Sequence, residues 1–198
     1  KKTVIRVGER YRFEKGKSGA REMIVIAVMA AFSVVGRLIF APIPAFKPVT
    51  AITIISGVAL GPEAGFIVGS MTAVVSNMFY GQGPWTPFQM FVWGFIGFLA
   101  GVIFRKSKKP NRIVLSIVGA FGGVLFSLLM DIWTTLSLDG EFLLSRYLVN
   151  VASSLSFMAI YAVSNIVFLI ILAHPFLEKL NRIKTKYGIF NSFSNEGT

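Results

Sequence analysis

The stretch "ALGPEAGFIVG", residues 59–69, interrupts an otherwise apolar part of the chain. Gly61 and Pro62 end any helix arriving through residues 49–60, because proline lacks the amide hydrogen and glycine accepts turn conformations. The apolar residues 64–79 then allow a second helix to begin. The two runs therefore predict a short helical hairpin.

Longer apolar runs on both sides of this hairpin predict an all-α integral membrane protein. Of the 198 residues, 54% are hydrophobic and only 15% are charged, which exceeds the apolar share of ordinary soluble domains. About 18 apolar residues suffice for a helix to cross the ~30 Å hydrocarbon core. With the hairpin, the longer runs predict six transmembrane helices. These longer runs are residues 23–40, 88–104, 113–136 and 148–173.

The distribution of positive charge predicts the orientation of the chain. Most of the 20 lysine and arginine residues lie in residues 1–21, 105–112 and 176–198, which fall on one side of a six-helix chain. The positive-inside rule then makes both termini cytoplasmic. We therefore expect a basic cytoplasmic segment at 1–21, a membrane domain at 22–175 and a cytoplasmic tail at 176–198. The basic leader favours anionic lipid as its partner over nucleic acid.

The opposite, extracytoplasmic side carries the best candidates for a ligand site. The stretch "YGQGPWTP", residues 80–87, sets Gln82 and Trp85 among rigid prolines, and Gln89 follows within one turn or so. Each tryptophan taken alone is more typical of an interface anchor. Amides and flat rings combined on a stiff rim favour binding of a polyfunctional organic molecule.

Polar residues at neighbouring helix ends form a second group of candidates. Arg37 lies near the outer end of the first helix, where an arginine must snorkel to the interface, pair with a carboxylate or face a wet cavity. Asp131 is a plausible partner for it. The second group of substrate-binding candidates consists of Arg37, Lys47, Asp131, Tyr147 and Asn150.

Chemistry of the kind that enzymes use is missing from the sequence. His174 is the only histidine and stands directly before Pro175, so we expect it to end the last helix rather than to catalyse a reaction. There are no cysteines, no paired histidines and no G-x-x-x-x-G-K-S/T phosphate loop. The chain is predicted not to be an enzyme, and to hold no metal or cofactor.

Small residues recur at helical spacing in two places. Ala27 and Ala31 are four apart in "AVMAA", and Gly94, Gly97 and Gly101 follow one another in "GFIGFLAG". Such faces permit close helix approach. They serve either packing inside this protein or docking onto another membrane subunit, and the spacing fits both.

The six-helix layout, the "AVMAA" element, the "ALGPEAGFIVG" turn and the glycine-rich fourth helix resemble the S components of energy-coupling factor (ECF) transporters. The resemblance covers roughly residues 22–175. It implies a substrate-binding subunit of a vitamin importer in a prokaryotic cell membrane. It also implies partnership with a transmembrane T subunit and two cytoplasmic ATPases that use ATP, and a docking role for Ala27 and Ala31.

Within that family, residues 36–66 and 77–90 look most like the cobalamin-type S components. Cobalamin is accordingly the first expectation for the ligand, with folate, pantothenate and riboflavin as alternatives. A different hypothesis is a small membrane scaffold or enzyme whose basic face recruits anionic lipid or partners.

Overall fold

The computed structural model describes residues 2–105, 107 and 110–190, with side chains described from Gly19 onward. This part of the chain is all-helical and forms six helices, as predicted, and the crossing of a membrane by all six stays a prediction. They are α1 (Lys2–Ile39), α2 (Val49–Leu60), α3 (Pro62–Tyr80), α4 (Trp85–Ile103), α5 (Arg112–Leu136) and α6 (Leu144–Tyr187).

Four of the helices are long and apolar enough to cross a membrane. The α2 helix is apolar but has only 12 residues, which corresponds to about 18 Å at a rise of ~1.5 Å per residue. The spans are Gly19–Ile39, Trp85–Ile103, Arg112–Leu136 and Leu144–Tyr187.

Two helix ends differ from the sequence-based expectation. The α1 helix begins at Lys2, so residues 2–21 continue into the apolar span as one helix. The prediction that His174 ends the last helix is wrong, because α6 runs through Pro175 to Tyr187. An internal proline removes one helical hydrogen bond. Packing of the following turns, with Leu180 only 5% exposed, holds the helix together beyond it.

The predicted basic clusters fall only partly within the described residues. Lys1, Lys106, Lys108 and Lys109 lie outside them, as does the end of the predicted tail, residues 191–198.

The short α2 helix forms the centre of the bundle and contacts all five other helices. Every residue from Val49 to Leu60 except Val58 is buried. A helix that is apolar on all sides is stable only when it is surrounded, and here the other helices supply that cover. The enclosure of α2 thus explains why this run has no charged residue, and its buried Thr53 and Ser56 hydroxyls donate to carbonyls of the same helix.

Glycine permits the closest contacts around α2. A Cβ on Gly57 would lie 2.1 Å from the Gly97 carbonyl oxygen, and one on Gly65 would lie 2.6 Å from the same atom. On α4, a Cβ on Gly101 would lie 2.5 Å from the Cα of Pro62. Because these neighbours are backbone atoms, the helices α2, α3 and α4 pack directly on one another.

The connections α1–α2, α3–α4 and α5–α6 lie at one end of the bundle, which we call the site end. At the opposite end of the bundle, two hydrogen bonds join parts of the chain that are far apart in sequence. The Lys184 Nζ donates to the Ala59 carbonyl at 2.7 Å, and the backbone amide of Phe190 donates to Glu22 Oε1 at 2.7 Å. These contacts tie the last turns of α6 to α1 and α2.

Replacement of Gly97 by alanine tests the glycine contacts. A Cβ there would meet the Gly65 carbonyl oxygen at 2.5 Å and Thr53 Cγ2 at 2.6 Å. We expect Gly97→Ala to destabilise the protein by about 1–3 kcal/mol, the usual range for overpacking. Thermal unfolding in detergent measures the change.

Gly19→Ala is the matched control, because nothing lies within 4 Å of a Cβ at that position. Equal melting temperatures for the two variants would contradict the proposed backbone contact.

Candidate functional site

A buried arginine organises the site end. Arg37, on the last turn of α1, is 8% exposed. Its Nη1 donates to Ser76 Oγ and, at 2.8 Å, to Asn77 Oδ1 on α3. The guanidinium carbon lies 4.6 Å from the ring centroid of Tyr80 and 5.0 Å from that of Trp93. Arg37 therefore does not snorkel to solvent, and it pairs with no carboxylate of the described residues.

The expected pairing of Arg37 with Asp131 is wrong for the described chain, in which no ion pair joins the two residues. Ser76 and Asn77 take that place because α3 packs directly beside α1. The Arg37 Nε is buried without a hydrogen-bond partner.

Amide groups extend the network from Arg37 towards α4. The Asn77 amide nitrogen donates to Gln89 Oε1 at 2.8 Å and to Thr86 Oγ1 at 3.0 Å. Thr86 in turn donates to Gln82 Oε1 at 3.0 Å, and the Gln82 amide donates to the Val74 carbonyl at 2.8 Å. Gln82 and Gln89 thus belong to one network, with Gln89 buried and Gln82 at the exposed rim.

Trp85 lies apart from these hydrogen bonds. Its side chain is 41% exposed, and its ring lies so close to Gly83 that a Cβ there would be 2.2 Å from it. Trp85 therefore lies at the exposed rim, beside the hydrogen-bond network.

The connection between α1 and α2 folds into the bundle and carries Lys47 with it. The Lys47 amide donates to Ser164 Oγ at 2.9 Å, and that hydroxyl donates back to the Lys47 carbonyl at 3.1 Å. The ring centroid of Phe46 lies 5.2 Å from that of Phe168. These contacts fix the connection against the middle of α6.

The side chain of Lys47 points to an aromatic ring. Its Nζ lies 5.6 Å from the ring centroid of Tyr161. Burial, and secondarily the charge of Arg37, lower the pKa of Lys47 to about 8. A charged ammonium is disfavoured both by loss of water and by a neighbouring like charge.

An aromatic row joins the surroundings of the two cations. Trp93 stacks on Phe126 with centroids 5.2 Å apart, and Phe126 meets Tyr161 edge to face, also at 5.2 Å. Arg37 lies over the Trp93 end of this row, and Lys47 lies over the Tyr161 end. The row of Trp93, Phe126 and Tyr161 therefore brings α1, the α1–α2 connection, α4, α5 and α6 to one place.

The remaining predicted residues form a second cluster between α5 and α6. Ser154 donates to Asp131 Oδ2 at 2.6 Å, and Asn150 donates to Thr135 Oγ1 at 3.0 Å. The Tyr147 hydroxyl donates to the Leu128 carbonyl at 3.3 Å. Tyr161, on the same helix as Ser154 and Asn150, meets Phe126 of α5 edge to face, so α5 and α6 also contribute to the aromatic row.

Sequence reasoning missed three kinds of site residue. In the sequence, Ser76 and Thr86 resemble ordinary helix residues, and Phe126 resembles a lipid-facing residue. Tyr161 lies in the middle of a long helix that carries several other serine and tyrosine hydroxyls, so nothing in the sequence singles it out. Each becomes recognisable only through the partner that another helix supplies.

The two small-residue faces have different surroundings. Gly94, Gly97 and Gly101 are buried against α2 and α3, so that face serves packing within the chain. Ala27 and Ala31 are exposed on α1.

The two described cavities lie away from the site end. One, of about 430 Å³, lies between α1 and the last turns of α6 beside Arg21 and Tyr187. The other, of about 540 Å³, is a groove on α3 and α4 beside Phe66 and Phe98. Among the residues that the structure describes, no group of His, Cys, Asp or Glu is arranged to hold a metal ion.

Comparison with known proteins identifies the family to which this chain is related. The model of the family described as "ECF-type riboflavin transporter, S component" matches residues 17–182. The chain belongs to this family. The match spans all six helices and includes the Arg37 network, the aromatic row and the exposed alanines of α1.

Curated relatives carry the name UPF0397 protein. One from Aliivibrio fischeri is 29% identical over 119 residues, which cover 53% of this chain and 64% of the relative. One from Vibrio atlanticus is 32% identical over 99 residues, covering 48% and 53% respectively. The chain thus spans less than two thirds of the length of these relatives. No solved structure matches the chain.

Family membership confirms the coarse prediction of an ECF S component in a membrane, a class of transporter subunit rather than of enzyme. The cobalamin type receives no support from these matches, since the family is described by riboflavin, one of the stated alternatives.

The Asn77 side chain offers a test of the network. Asn77 is 1% exposed and joins Arg37 to Thr86 and Gln89. We expect Asn77→Ala to cost about 1–3 kcal/mol of stability, because buried partners lose their hydrogen bonds.

Asn150→Ala is the comparison, since that amide donates a single bond to Thr135. Thermal unfolding of both variants should show the larger loss for Asn77→Ala, and the reverse order would contradict a central role for Asn77.

Proposed function

We propose that this chain is the substrate-binding subunit of an ECF-type, ATP-driven importer that captures a vitamin at the site end and delivers it to the cytoplasm. The family match over residues 17–182 carries the proposal. The buried network of Arg37, Asn77 and Gln89 supports it, because a polar cluster inside a membrane bundle is typical of a ligand site.

The proposed orientation puts the site end outside the cell. All six helices then count as the membrane domain, with α2 enclosed by the others, and both termini are cytoplasmic in a prokaryotic cell membrane. The basic residues at 1–21 and 176–198 support this arrangement through the positive-inside rule. The proposed partners are a transmembrane T subunit and two cytoplasmic ATPases, which use ATP in place of this chain.

For the ligand we propose a flavin ahead of cobalamin. The printed family description names riboflavin. The α1–α2 connection packs into the bundle, with Ala45 only 6% exposed and Lys47 bonded to Ser164. A connection so placed suits a small enclosed vitamin, whereas a large corrinoid requires a wide mouth. Cobalamin remains the second candidate, on the resemblance of residues 36–66 and 77–90.

The proposed ligand-facing residues divide into an inner and an outer set. Arg37, Lys47 and Gln89 belong to the inner set because they border the aromatic row or the buried network. The remaining proposed contacts are Gln82 and Trp85 at the rim and Asp131, Tyr147 and Asn150 from the α5–α6 cluster.

Calorimetric titration of the purified protein in detergent tests the function. Riboflavin, cobalamin, folate and pantothenate form the panel. We expect saturable binding of riboflavin, and at 100-fold excess over Kd a stabilisation of about 2.7 kcal/mol in thermal unfolding. If cobalamin alone binds, the proposed ligand is wrong and the proposed function stands. If none of the four compounds binds to folded protein, the result counts against the proposed function.

Gln89→Ala probes the inner set, with Trp85→Ala as the rim comparison. Because Gln89 is buried in the network and Trp85 is outside it, we expect the larger loss of riboflavin affinity for Gln89→Ala.

Docking onto the T subunit is tested at the exposed alanines. A tryptophan at Ala27 or Ala31 separates close-packed helices, so we expect Ala27→Trp and Ala31→Trp to bind ligand normally and to lose transport in vesicles containing the whole importer. Val163→Trp is the control, at an apolar position of α6 that is 54% exposed. Equal loss of binding and transport in the alanine variants would show a folding defect instead.

A further inference from the structure

Two positive charges at the site end lack an anionic partner. Arg37 is 8% exposed and donates hydrogen bonds to two neutral side chains, Ser76 and Asn77. The partly buried Lys47 directs its ammonium to the ring of Tyr161. Among the described residues, no carboxylate forms an ion pair with Arg37 or Lys47, whereas Arg146 at the same end is paired with Asp139.

Unpaired cations away from water are unfavourable unless something compensates them. Aromatic faces supply part of the compensation, since Arg37 lies over Tyr80 and Trp93 and Lys47 lies over Tyr161. The Arg37 Nε nevertheless remains buried without any partner. A donor left open in this way is suited to an acceptor that arrives with a ligand.

The two cations lie along the same aromatic row. They border opposite ends of the aromatic row of Trp93, Phe126 and Tyr161, whose neighbouring ring centroids are 5.2 Å apart. The nearby carboxylate of Asp131 on α5 accepts a hydrogen bond from Ser154 at 2.6 Å. Counted by formal charge, Arg37, Lys47 and Asp131 together carry +1.

We propose that the natural ligand is an anionic organic nutrient whose phosphate or carboxylate binds between Arg37 and Lys47. This inference rests on the proposed function and narrows its substrate class from vitamins in general to anionic ones. Arginine and lysine both recognise these oxyanions through charge-assisted hydrogen bonds. A neutral flavin would leave both cations without a counter-charge.

The pH dependence follows from the lysine. The pKa of Lys47 is lowered to about 8, so its side chain is charged below that pH and becomes neutral above it. Arg37 on α1 stays charged throughout, while Tyr80 on α3, Tyr161 on α6 and Asp131 on α5 complete the ionisable surroundings. Affinity for an anionic ligand should therefore fall as pH rises through about 8, and affinity for a neutral analogue should not.

Matched ligand pairs test the charge preference by calorimetric titration of the full chain in detergent. The pairs are riboflavin 5′-phosphate with riboflavin, and pantothenate with its neutral alcohol analogue pantothenol. In at least one pair we expect the anionic member to bind roughly 10- to 100-fold more tightly, the range for a charge-assisted hydrogen bond.

Lys47→Gln should abolish most of that preference, and Lys47→Arg should restore it. Arg146→Gln is the matched control, because Arg146 lies at the same end of the bundle but is already paired with Asp139 at 2.7 Å. Arg37 is left unchanged here, since it also holds α3 through Asn77. Thermal unfolding of each variant confirms that it is folded.

The outcomes separate this inference from the proposed function. Equal or tighter binding of the neutral member in every pair that binds overturns the anionic preference and leaves the vitamin importer intact. A preference that survives Lys47→Gln unchanged overturns the role of Lys47 and with it the proposed site. Absence of binding by all four compounds, with folded protein, counts against this inference, and the titrations with cobalamin and folate then decide the proposed function.

Discussion

The close approach of α4 to the α2–α3 hairpin depends on glycine, because a Cβ on Gly57, Gly65 or Gly97 would lie 2.1–2.6 Å from a backbone atom of the facing helix. With no side chains between them, three backbones pack directly, and dispersion contacts replace the hydrophobic driving force that lipid cannot supply. This packing allows the short α2 to be enclosed on all sides. The other features of the bundle are arranged around that enclosed helix.

The polar site end follows from the same arrangement. The tight α3–α4 pair brings Asn77 beside Thr86 and Gln89, and the adjacent α1 presents Arg37 to it. Low polarity around the network makes each satisfied hydrogen bond stronger and each unsatisfied group more costly. A buried network of this kind holds its residues in fixed positions, while the Nε of Arg37 is buried without a hydrogen-bond partner.

Different parts of the molecule present different kinds of surface, in agreement with membership of the S-component family. The bundle interior and its site end hold the polar and aromatic groups suited to a ligand, and α1 presents small residues to its surroundings. Ala27 and Ala31 are exposed on α1, whereas Gly97 packs against the backbone of α3. Similar spacing in the sequence thus serves two different surfaces.

The sequence by itself determined the membrane class and the six helices, with every end to within a few residues except the start of α1 and the end of α6, because run length, apolar content and the Gly61–Pro62 break are local properties. It also pointed to Arg37, Gln82 and Gln89, which the structure joins in one network. Only the tertiary structure decided that Asn77 rather than Asp131 holds Arg37, and that Lys47 reaches α6. Those choices depend on which helices become neighbours, and packing between residues far apart in the chain sets that.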